Sequence, residues 1–229
     1  MQPHHFWQTL VAPATHDTSA NVVFRDAFPA VLPDGRQLLL PIRVLPGDGS
    51  RAVASLIVNQ ASFQVEDALC DAMCSLARRF EPDVIVGVPT LGLPLANGVA
   101  RRLGHDRMVA LGTSRKFWYR DELSQPMRSI TSPDQEKRIY LDPRMLPLLQ
   151  DKRVVVVDDV VSTGTSMASV LTLLSDAGIT VTGVVAAMLQ SRRFEKMLTE
   201  ICLPKTPPIV GAIASPLLRR VGEGWIADA

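Results

Sequence analysis

The apolar positions of this chain change period along its length, and the changes mark out its elements. Two apolar stretches with partial alternation, about Gln37–Val44 and Ala52–Val58, flank the run Pro46-Gly47-Asp48-Gly49-Ser50. Alternation on both sides of a Gly-rich turn predicts a β-hairpin. From Gln64 to Phe80 the residues Val65, Leu69, Ala72, Met73 and Leu76 recur at helical spacing, and Pro82 stops the helix. Asp83–Val88 then reads as a short apolar strand and Gly92–Leu103 as the helix after it. Arg107–Leu111, Lys137–Leu141 and Arg153–Val157 read as further strands. Residues 164–177 predict a helix ended by Gly178, Ile179–Leu189 a strand, and Ser191–Glu200 a short helix. The tail from Pro204 is Pro-rich, then apolar again. Repeated strand–helix units predict an α/β fold, a parallel sheet with helices on both faces.

No period is visible between Leu111 and Lys137. A stretch this long without structure in a compact domain is either a functional lid or disordered. It carries Arg115, Lys116, Arg120 and Arg128, with Phe117, Trp118 and Tyr119 among them. A lid over an anionic substrate needs basic groups for charge and apolar ones to exclude water. The competing reading is a hairpin extension whose aromatics pack on the core or at a subunit interface. For Arg115 and Lys116 the lid reading is favoured.

The chemistry concentrates in residues 154–166, Val-Val-Val-Val-Asp-Asp-Val-Val-Ser-Thr-Gly-Thr-Ser. Four β-branched residues predict a buried central strand. Two adjacent carboxylates, Asp158 and Asp159, follow at its carboxyl end, where open α/β sheets bind ligands. The hydroxyl-rich loop Ser162-Thr163-Gly164-Thr165-Ser166 then enters a helix carrying Met167, Val170, Leu171 and Leu174. Free N–H groups and the positive dipole end of a helix suit a phosphate. Gly164 permits close backbone approach, and the flanking hydroxyls can donate. The acids are suited to sugar hydroxyls, or to holding Mg²⁺ indirectly. The plain alternative is a buried strand followed by an N-capped helix. Adjacent acids at a buried strand end argue against it.

A second strand–turn–helix unit is Val86-Gly87-Val88-Pro89-Thr90-Leu91-Gly92-Leu93-Pro94, in which Gly92 suits close approach and Thr90 offers a hydroxyl. Alone it is also compatible with an ordinary βα turn.

Composition narrows the class. With 24 basic and 23 acidic side chains among 229 residues, the formal charge is +1, which favours neither nucleic acid nor a membrane surface as partner. A hydrophobic content of 47% is ample for a core. No apolar run approaches the ~18 residues of a transmembrane helix. The start, Met1-Gln2-Pro3-His4-His5-Phe6, carries no secretory pattern, so the expected compartment is the cytoplasm. Three cysteines fit a reducing compartment. Cys70 and Cys74 are read as small apolar fillers of one helix face, with no zinc-ligand spacing beside them. His4 and His5 are expected to be disordered. No G-x-x-x-x-G-K-[ST] loop and no G-x-S-x-G elbow is present, which sets aside a kinase or ATPase and a serine hydrolase.

All thirteen positions of residues 154–166 fit a known pattern, and the stretch resembles the PRPP-binding signature of the type I phosphoribosyltransferases. The order of hairpin, helix, glycine loop, basic loop and acid-rich motif is similar to that family over about residues 30–190. Leu32-Pro33-Asp34-Gly35-Arg36, Asp159-Val160-Val161 and Gly183-Val184-Val185-Ala186-Ala187 look most like orotate enzymes; Arg115-Lys116 after Val109-Ala110-Leu111 resembles both orotate and adenine enzymes. The resemblance implies a type I phosphoribosyltransferase-like sheet flanked by helices under a small N-terminal β-hairpin hood. Residues 1–60 would form the hood and hairpin. Residues 61–203 would form the PRPP-binding core with its flexible loop at 112–136, and residues 204–229 a tail packed on hood or core.

The resemblance further implies roles. Asp158, Asp159, Val160, Val161, Ser162, Thr163, Gly164, Thr165 and Ser166 would bind PRPP. Ser162 to Ser166 would hold the 5′-phosphate, and the two acids the ribose hydroxyls. Thr90, Leu91 and Gly92 would hold pyrophosphate through backbone amides and a strained peptide bond. Arg115 and Lys116 would close over the leaving group, on the same or a neighbouring subunit of a homodimer, and the apolar stretch Leu91–Val99 is a candidate interface. Mg²⁺ would arrive through PRPP rather than on direct protein ligands. Phe24 and Phe28 of the hood are candidates for stacking on the base.

Three departures bear on the acceptor. Orotate enzymes carry a Lys where this chain has Leu91, a second Lys and a His-Gly where it has Phe117-Trp118-Tyr119, and an Arg where it has Ala168. Losing a cation opposite a carboxylate costs roughly 1.5–3 kcal/mol. The expected acceptor is therefore a neutral base, adenine or another purine. Orotate transfer and a non-catalytic PRPP-binding regulator are the alternatives; a DNA-binding regulator would normally add a basic helical module, for which the N-terminal segment is too short and too Pro-rich.

Overall fold

The structure, a computed structural model, describes residues 2–19, 21–127, 137–200 and 206–228. In chain order the strands and helices are β1 (Leu10–Val11), β2 (Ala27–Val31), β3 (Gln37–Val44), β4 (Arg51–Ala54), α1 (Phe63–Ala77), β5 (Val84–Gly87), α2 (Gly92–Arg102), β6 (Val109–Ala110), β7 (Ser124–Met127), β8 (Lys137–Tyr140), β9 (Val154–Val161), α3 (Thr165–Asp176), β10 (Val181–Gln190), α4 (Arg193–Glu200), β11 (Ile209–Ser215), β12 (Leu217–Val221) and β13 (Gly224–Asp228).

The valine run is the middle strand of a parallel sheet ordered β11-β10-β9-β5-β6. Its side chains alternate between two cores. Val155 and Val157 join Val65, Leu69 and Met73 of α1 and Leu95 and Val99 of α2. Val154 and Val156 join Val170, Leu171 and Leu174 of α3 and Phe194 of α4. A strand buried on both faces needs apolar residues at every position, which is why β9 reads as an unbroken run rather than an alternation. Each such side chain contributes about 1.5–3 kcal/mol.

Local chemistry sets the helix ends. The Ser62 side chain accepts from the Val65 N–H and caps α1. The helix gives way to a 3₁₀ turn over Arg78–Phe80, with Glu81 left-handed at φ 46°, just before Pro82. Gly178, at φ +75°, closes α3 through its N–H to Ser175 O and that of Ile179 to Leu174 O. Cys70 and Cys74 are buried in α1, and burial pushes the Cys70 thiol up to about 12.

Several expectations change. The predicted hairpin forms as β3–β4, but the second strand ends at Ala54 rather than Val58. Beyond it the Ser55 N–H binds Pro41 O, the Trp7 indole binds Ser55 O, and Val58–Gln60 is a 3₁₀ turn. His4 and His5 belong to a 3₁₀ turn over Pro3–His5. Lys137–Tyr140 is a strand, but it pairs antiparallel with Ser124–Met127 and stands apart from the parallel sheet. Leu91–Val99 is not a free apolar surface, because Leu95, Ala96 and Val99 are fully buried inside the chain. The segment after residue 203 contributes strands to the parallel sheet and to the hood sheet. β11 extends the parallel sheet, while β12 and β13 continue the hood sheet from β4. Among the described residues, no helix is long and apolar enough to cross a membrane.

Candidate functional site

Strand β9 carries Asp158 and Asp159 past its buried core to the carboxyl edge of the sheet. Asp158 is 6% exposed, and its Oδ1 accepts the Asp159 N–H at 2.9 Å. Burial holds the Asp158 carboxyl well above the usual carboxylate range, and the neighbouring Asp159 charge pushes it further the same way. Burial also raises Asp159, against the lowering effect of its hydrogen bond with Asp158. Among the described residues no cation offsets either charge. A ligand bringing hydroxyl donors or a metal ion would relieve that cost.

The hydroxyl-rich loop Ser162–Ser166 follows. Gly164 takes φ +86° as the N-cap of α3, and a Cβ there would lie 3.0 Å from Phe194 Cα. A side chain would be strained by the backbone angle and would clash as well. Thr163 Oγ1 and Thr165 Oγ1 lie 3.1 Å apart, and the loop from Val160 to Ser166 lines a cleft of about 90 Å³ with Asp158 and Met167. Ser162 Oγ donates to Gln190 Oε1 at 2.7 Å, and Gln190 Nε2 donates to Ala54 O of the hood at 2.8 Å. Arg193 Nη2 donates to the same Ser162 Oγ at 3.1 Å. Gln190 and Arg193 were not singled out by sequence. The available signal was a polar residue closing the apolar run Val181–Leu189.

The second loop lies against the acids. The Val88 N–H binds Val157 O at 3.0 Å, so β5 ends beside the residue that precedes Asp158 in β9. The Pro89–Thr90 peptide is cis. Thr90 is exposed, Leu91 packs partly on the core, and Gly92 is buried against β9. A Cβ on Gly92 would approach Asp158 Cα and Oδ1 to 2.9 Å. The structure thus brings Thr90–Gly92, Asp158–Asp159 and Ser162–Ser166 together along one sheet edge.

The remaining candidates lie elsewhere. Arg115 pairs with Asp121 at 3.0 Å on the surface, where such pairs are worth about 0–1 kcal/mol and yield readily. Lys116 is exposed. The aromatics divide. Trp118 donates to Asp142 Oδ2 at 3.2 Å under the Arg144 guanidinium, and Tyr119 lies 5.7 Å from Tyr140, so both anchor the segment. Phe117 is 96% exposed. The 112–136 segment is therefore not structureless where described: a 3₁₀ turn over Asp121–Leu123 leads into β7. Residues 128–136, with Arg128, lie outside the described residues. Ala168 is buried in α3. Phe24 and Phe28 are buried in the hood and pack edge-to-face at 5.1 Å. Phe24 lines a hood cavity of about 360 Å³ with Phe6, His16, Asp26 and Leu39, and no described phosphate-loop residue borders it.

A hydroxyl-rich loop at a strand–helix junction, buried acids before it and a glycine loop pressed against those acids form one polar edge on the parallel sheet of an α/β protein. Residues 64–201 match the phosphoribosyl transferase domain family, and the chain belongs to it. It is 31% identical over 143 residues to an adenine phosphoribosyltransferase of Frankia alni, covering 62% of this chain and 70% of that protein. It is 34% identical over 113 residues to the transcriptional regulator GfcR 1 of Methanosarcina barkeri, spanning 48% of each chain. The solved APRTase of Giardia lamblia, complexed with 9-deazaadenine, superposes with a TM-score of 0.59 at 18% identity, over 77% of this chain and 93% of that one. At that identity the likeness establishes the fold alone.

Proposed function

We propose that this phosphoribosyltransferase transfers the phosphoribosyl group of PRPP to a ring nitrogen of a neutral nucleobase, a purine and first of all adenine, with release of pyrophosphate. The observation that carries the reading is the meeting of Ser162–Ser166, Asp158–Asp159 and Thr90–Gly92 along one sheet edge. Ser162–Ser166 hold the 5′-phosphate, the acids take the ribose hydroxyls, and Thr90–Gly92 take the pyrophosphate through backbone. Catalysis then rests on positioning and on stabilising charge as the anomeric C–O bond breaks. The uncompensated carboxylates suit Mg²⁺, which prefers oxygen ligands and keeps few protein ones. Among the described residues no three potential ligands cluster; the ion would come with PRPP, and Asp158 and Asp159 would hold it indirectly, through the ribose hydroxyls they take. When bound, the ion offsets charge on the leaving pyrophosphate. The reading includes a homodimer, with the exposed tip at Arg115–Phe117 directed outward.

A regulator that binds PRPP without transfer is the second reading, favoured by the similarity to GfcR 1. Pyrophosphate release from PRPP and Mg²⁺ with adenine, hypoxanthine, guanine, xanthine, orotate and uracil separates the two. Release with adenine or another purine is expected. Release only with orotate would overturn the neutral-base assignment drawn from Leu91 and Ala168. Calorimetric PRPP binding with no release would favour the regulator.

Lys116→Ala is expected to lower kcat by roughly 100-fold and leave PRPP affinity within about threefold, because a lid cation acts mainly as charge develops. Trp118 and Tyr119 should keep the loop in place in this variant. Unchanged kcat would reduce the loop to a structural hairpin.

A further inference from the structure

One buried polar side chain at the site serves none of the roles above. Gln190 ends β10, and the register of the parallel sheet sets it level with the start of the hydroxyl-rich loop: Leu189 pairs with Val161, so Gln190 lies beside Ser162. It is 9% exposed, and both ends of its amide are bonded. Nε2 donates at 2.8 Å to Ala54 O, at the end of hood strand β4, and Oε1 accepts from Ser162 Oγ at 2.7 Å. Chemistry fixes these directions. A carbonyl oxygen can only accept, so the Ala54 bond takes the NH2 group and leaves the amide oxygen for Ser162. Ser162 must therefore donate.

That direction limits what Ser162 can do. A hydroxyl has one hydrogen, and Gln190 takes it. The oxygen also accepts from Arg193 Nη2 at 3.1 Å, and Arg193 Nε donates to Ser191 Oγ at 3.1 Å. Ser162 has no hydroxyl hydrogen left for a phosphate. Thr163 and Thr165 share a single bond between them, which leaves one of their two hydrogens for a ligand. Ser162 Oγ is instead the first atom of a buried link that runs through Gln190 to the hood. Among the described residues no other side chain bonds to both the loop and the hood. The amide is planar and both its ends are occupied, so the loop cannot shift against the hood without breaking a bond. A bond broken there leaves a buried polar atom unpaired.

We propose that Gln190 is a positioning residue, which presets the Ser162–Ser166 loop against the hood in the shape that receives the 5′-phosphate of PRPP. This role rests on the PRPP reading of that loop and deepens it. Preorganisation of this kind acts through affinity. The 5′-phosphate is remote from the anomeric bond that breaks, so its contacts are alike before and during transfer. Losing their alignment weakens PRPP binding and leaves the turnover of the bound complex nearly unchanged. The expectation for Lys116 is the reverse.

PRPP Kd by calorimetry, PRPP KM, kcat and Tm are measured in the wild type, Gln190→Met, Ser162→Ala, Ser162→Thr and the Ser162→Ala/Gln190→Met double variant. Met has about the length of Gln and can make neither bond. Gln190→Met and Ser162→Ala are each expected to raise PRPP Kd and KM about tenfold, with kcat within about threefold. The double variant is expected to bind PRPP within about twofold of the weaker single one, because both substitutions break one link. Ser162→Thr keeps the hydroxyl and is expected to hold PRPP within about twofold of the wild type. A merely structural Gln190 would lower Tm and leave the PRPP Kd of the folded protein unchanged. Should Gln190→Met fail to fold, Ser162→Ala against Ser162→Thr decides the matter. An unchanged PRPP Kd in Gln190→Met or Ser162→Ala, losses that multiply in the double variant, Ser162→Thr as weak as Ser162→Ala, or a loss confined to kcat overturns the positioning role. A wild type that binds PRPP and releases no pyrophosphate on any base overturns the transferase reading alone, because the Kd comparison stands without turnover. A wild type that does not bind PRPP overturns both.

Discussion

Asp159→Asn is expected to cut turnover by roughly 100-fold or more without lowering the melting temperature, since it also removes a charge that penalises Asp158. Asp158→Asn is expected to lose activity as well, but to melt higher than the wild type at pH 7. The difference follows from the environments of the two carboxyls. Asp158 is almost wholly buried, and its ionised form is penalised by burial and by the adjacent Asp159. A carboxyl whose folded pKa lies above its unfolded value costs stability at every pH where it is ionised in both states. That cost shrinks as pH falls below the folded value and is gone only near the unfolded value, where both states keep the proton. The Tm advantage of Asp158→Asn over the wild type should therefore be largest near neutral pH and shrink toward pH 4. In a chain of this size each 1 kcal/mol corresponds to about 2–4 °C. The amide retains an oxygen for the Asp159 N–H, so the local bond survives. A gain in stability with a loss of activity is what a site strained to receive a ligand shows when its charge is removed. A lower Tm at pH 7, or wild-type turnover in Asp159→Asn, would remove the roles assigned to the pair.

The motif-bearing part of the fold was legible because its signals are local. A run of β-branched residues, two acids and a turn glycine occupy consecutive positions, and both faces of β9 are buried, so every residue in the run reports the same environment. The remainder depends on partners far away in sequence. β2 contains Pro29 and forms because β3 supplies a partner from residues 37 to 41. β11 follows a Pro-rich stretch and becomes a strand by lying parallel to β10. The aromatic triplet at 117–119 gave no sign of how it divides, since Trp118 is held by Asp142 and Arg144 and Tyr119 by Tyr140, while Phe117 meets the neighbouring Trp118 ring at 4.7 Å and stays exposed. Gln190 illustrates the same limit within the site. Its importance lies in bridging Ser162 and the hood carbonyl of Ala54, 136 residues away, and no spacing rule announces such a pair.

Gly92→Ala tests whether the two loops must touch. Two opposing effects make the outcome informative. At the start of a helix, replacing Gly by Ala removes backbone freedom from the unfolded chain and normally stabilises by about 0.4–1 kcal/mol. Here the new methyl would come within 2.9 Å of Asp158 Cα and Oδ1 and 3.2 Å of Val157 O. Two of those three atoms are backbone of the central strand, and the Val88–Val157 bond ties β5 to that strand, so little can yield. Overpacking of this kind costs roughly 1–3 kcal/mol, which exceeds the propensity gain. The expected result is a lower melting temperature together with a fall in kcat/KM for PRPP of about 100-fold or more, since displacements near 1 Å at a reacting centre carry penalties of that order. The loss should fall on PRPP, because Gly92 touches Asp158 and the strand that carries it. A raised melting temperature with wild-type kinetics would show that the Thr90–Gly92 loop and the acids tolerate separation. The pyrophosphate role of that loop would then fall, while the phosphate role of Ser162–Ser166 would stand on its own geometry.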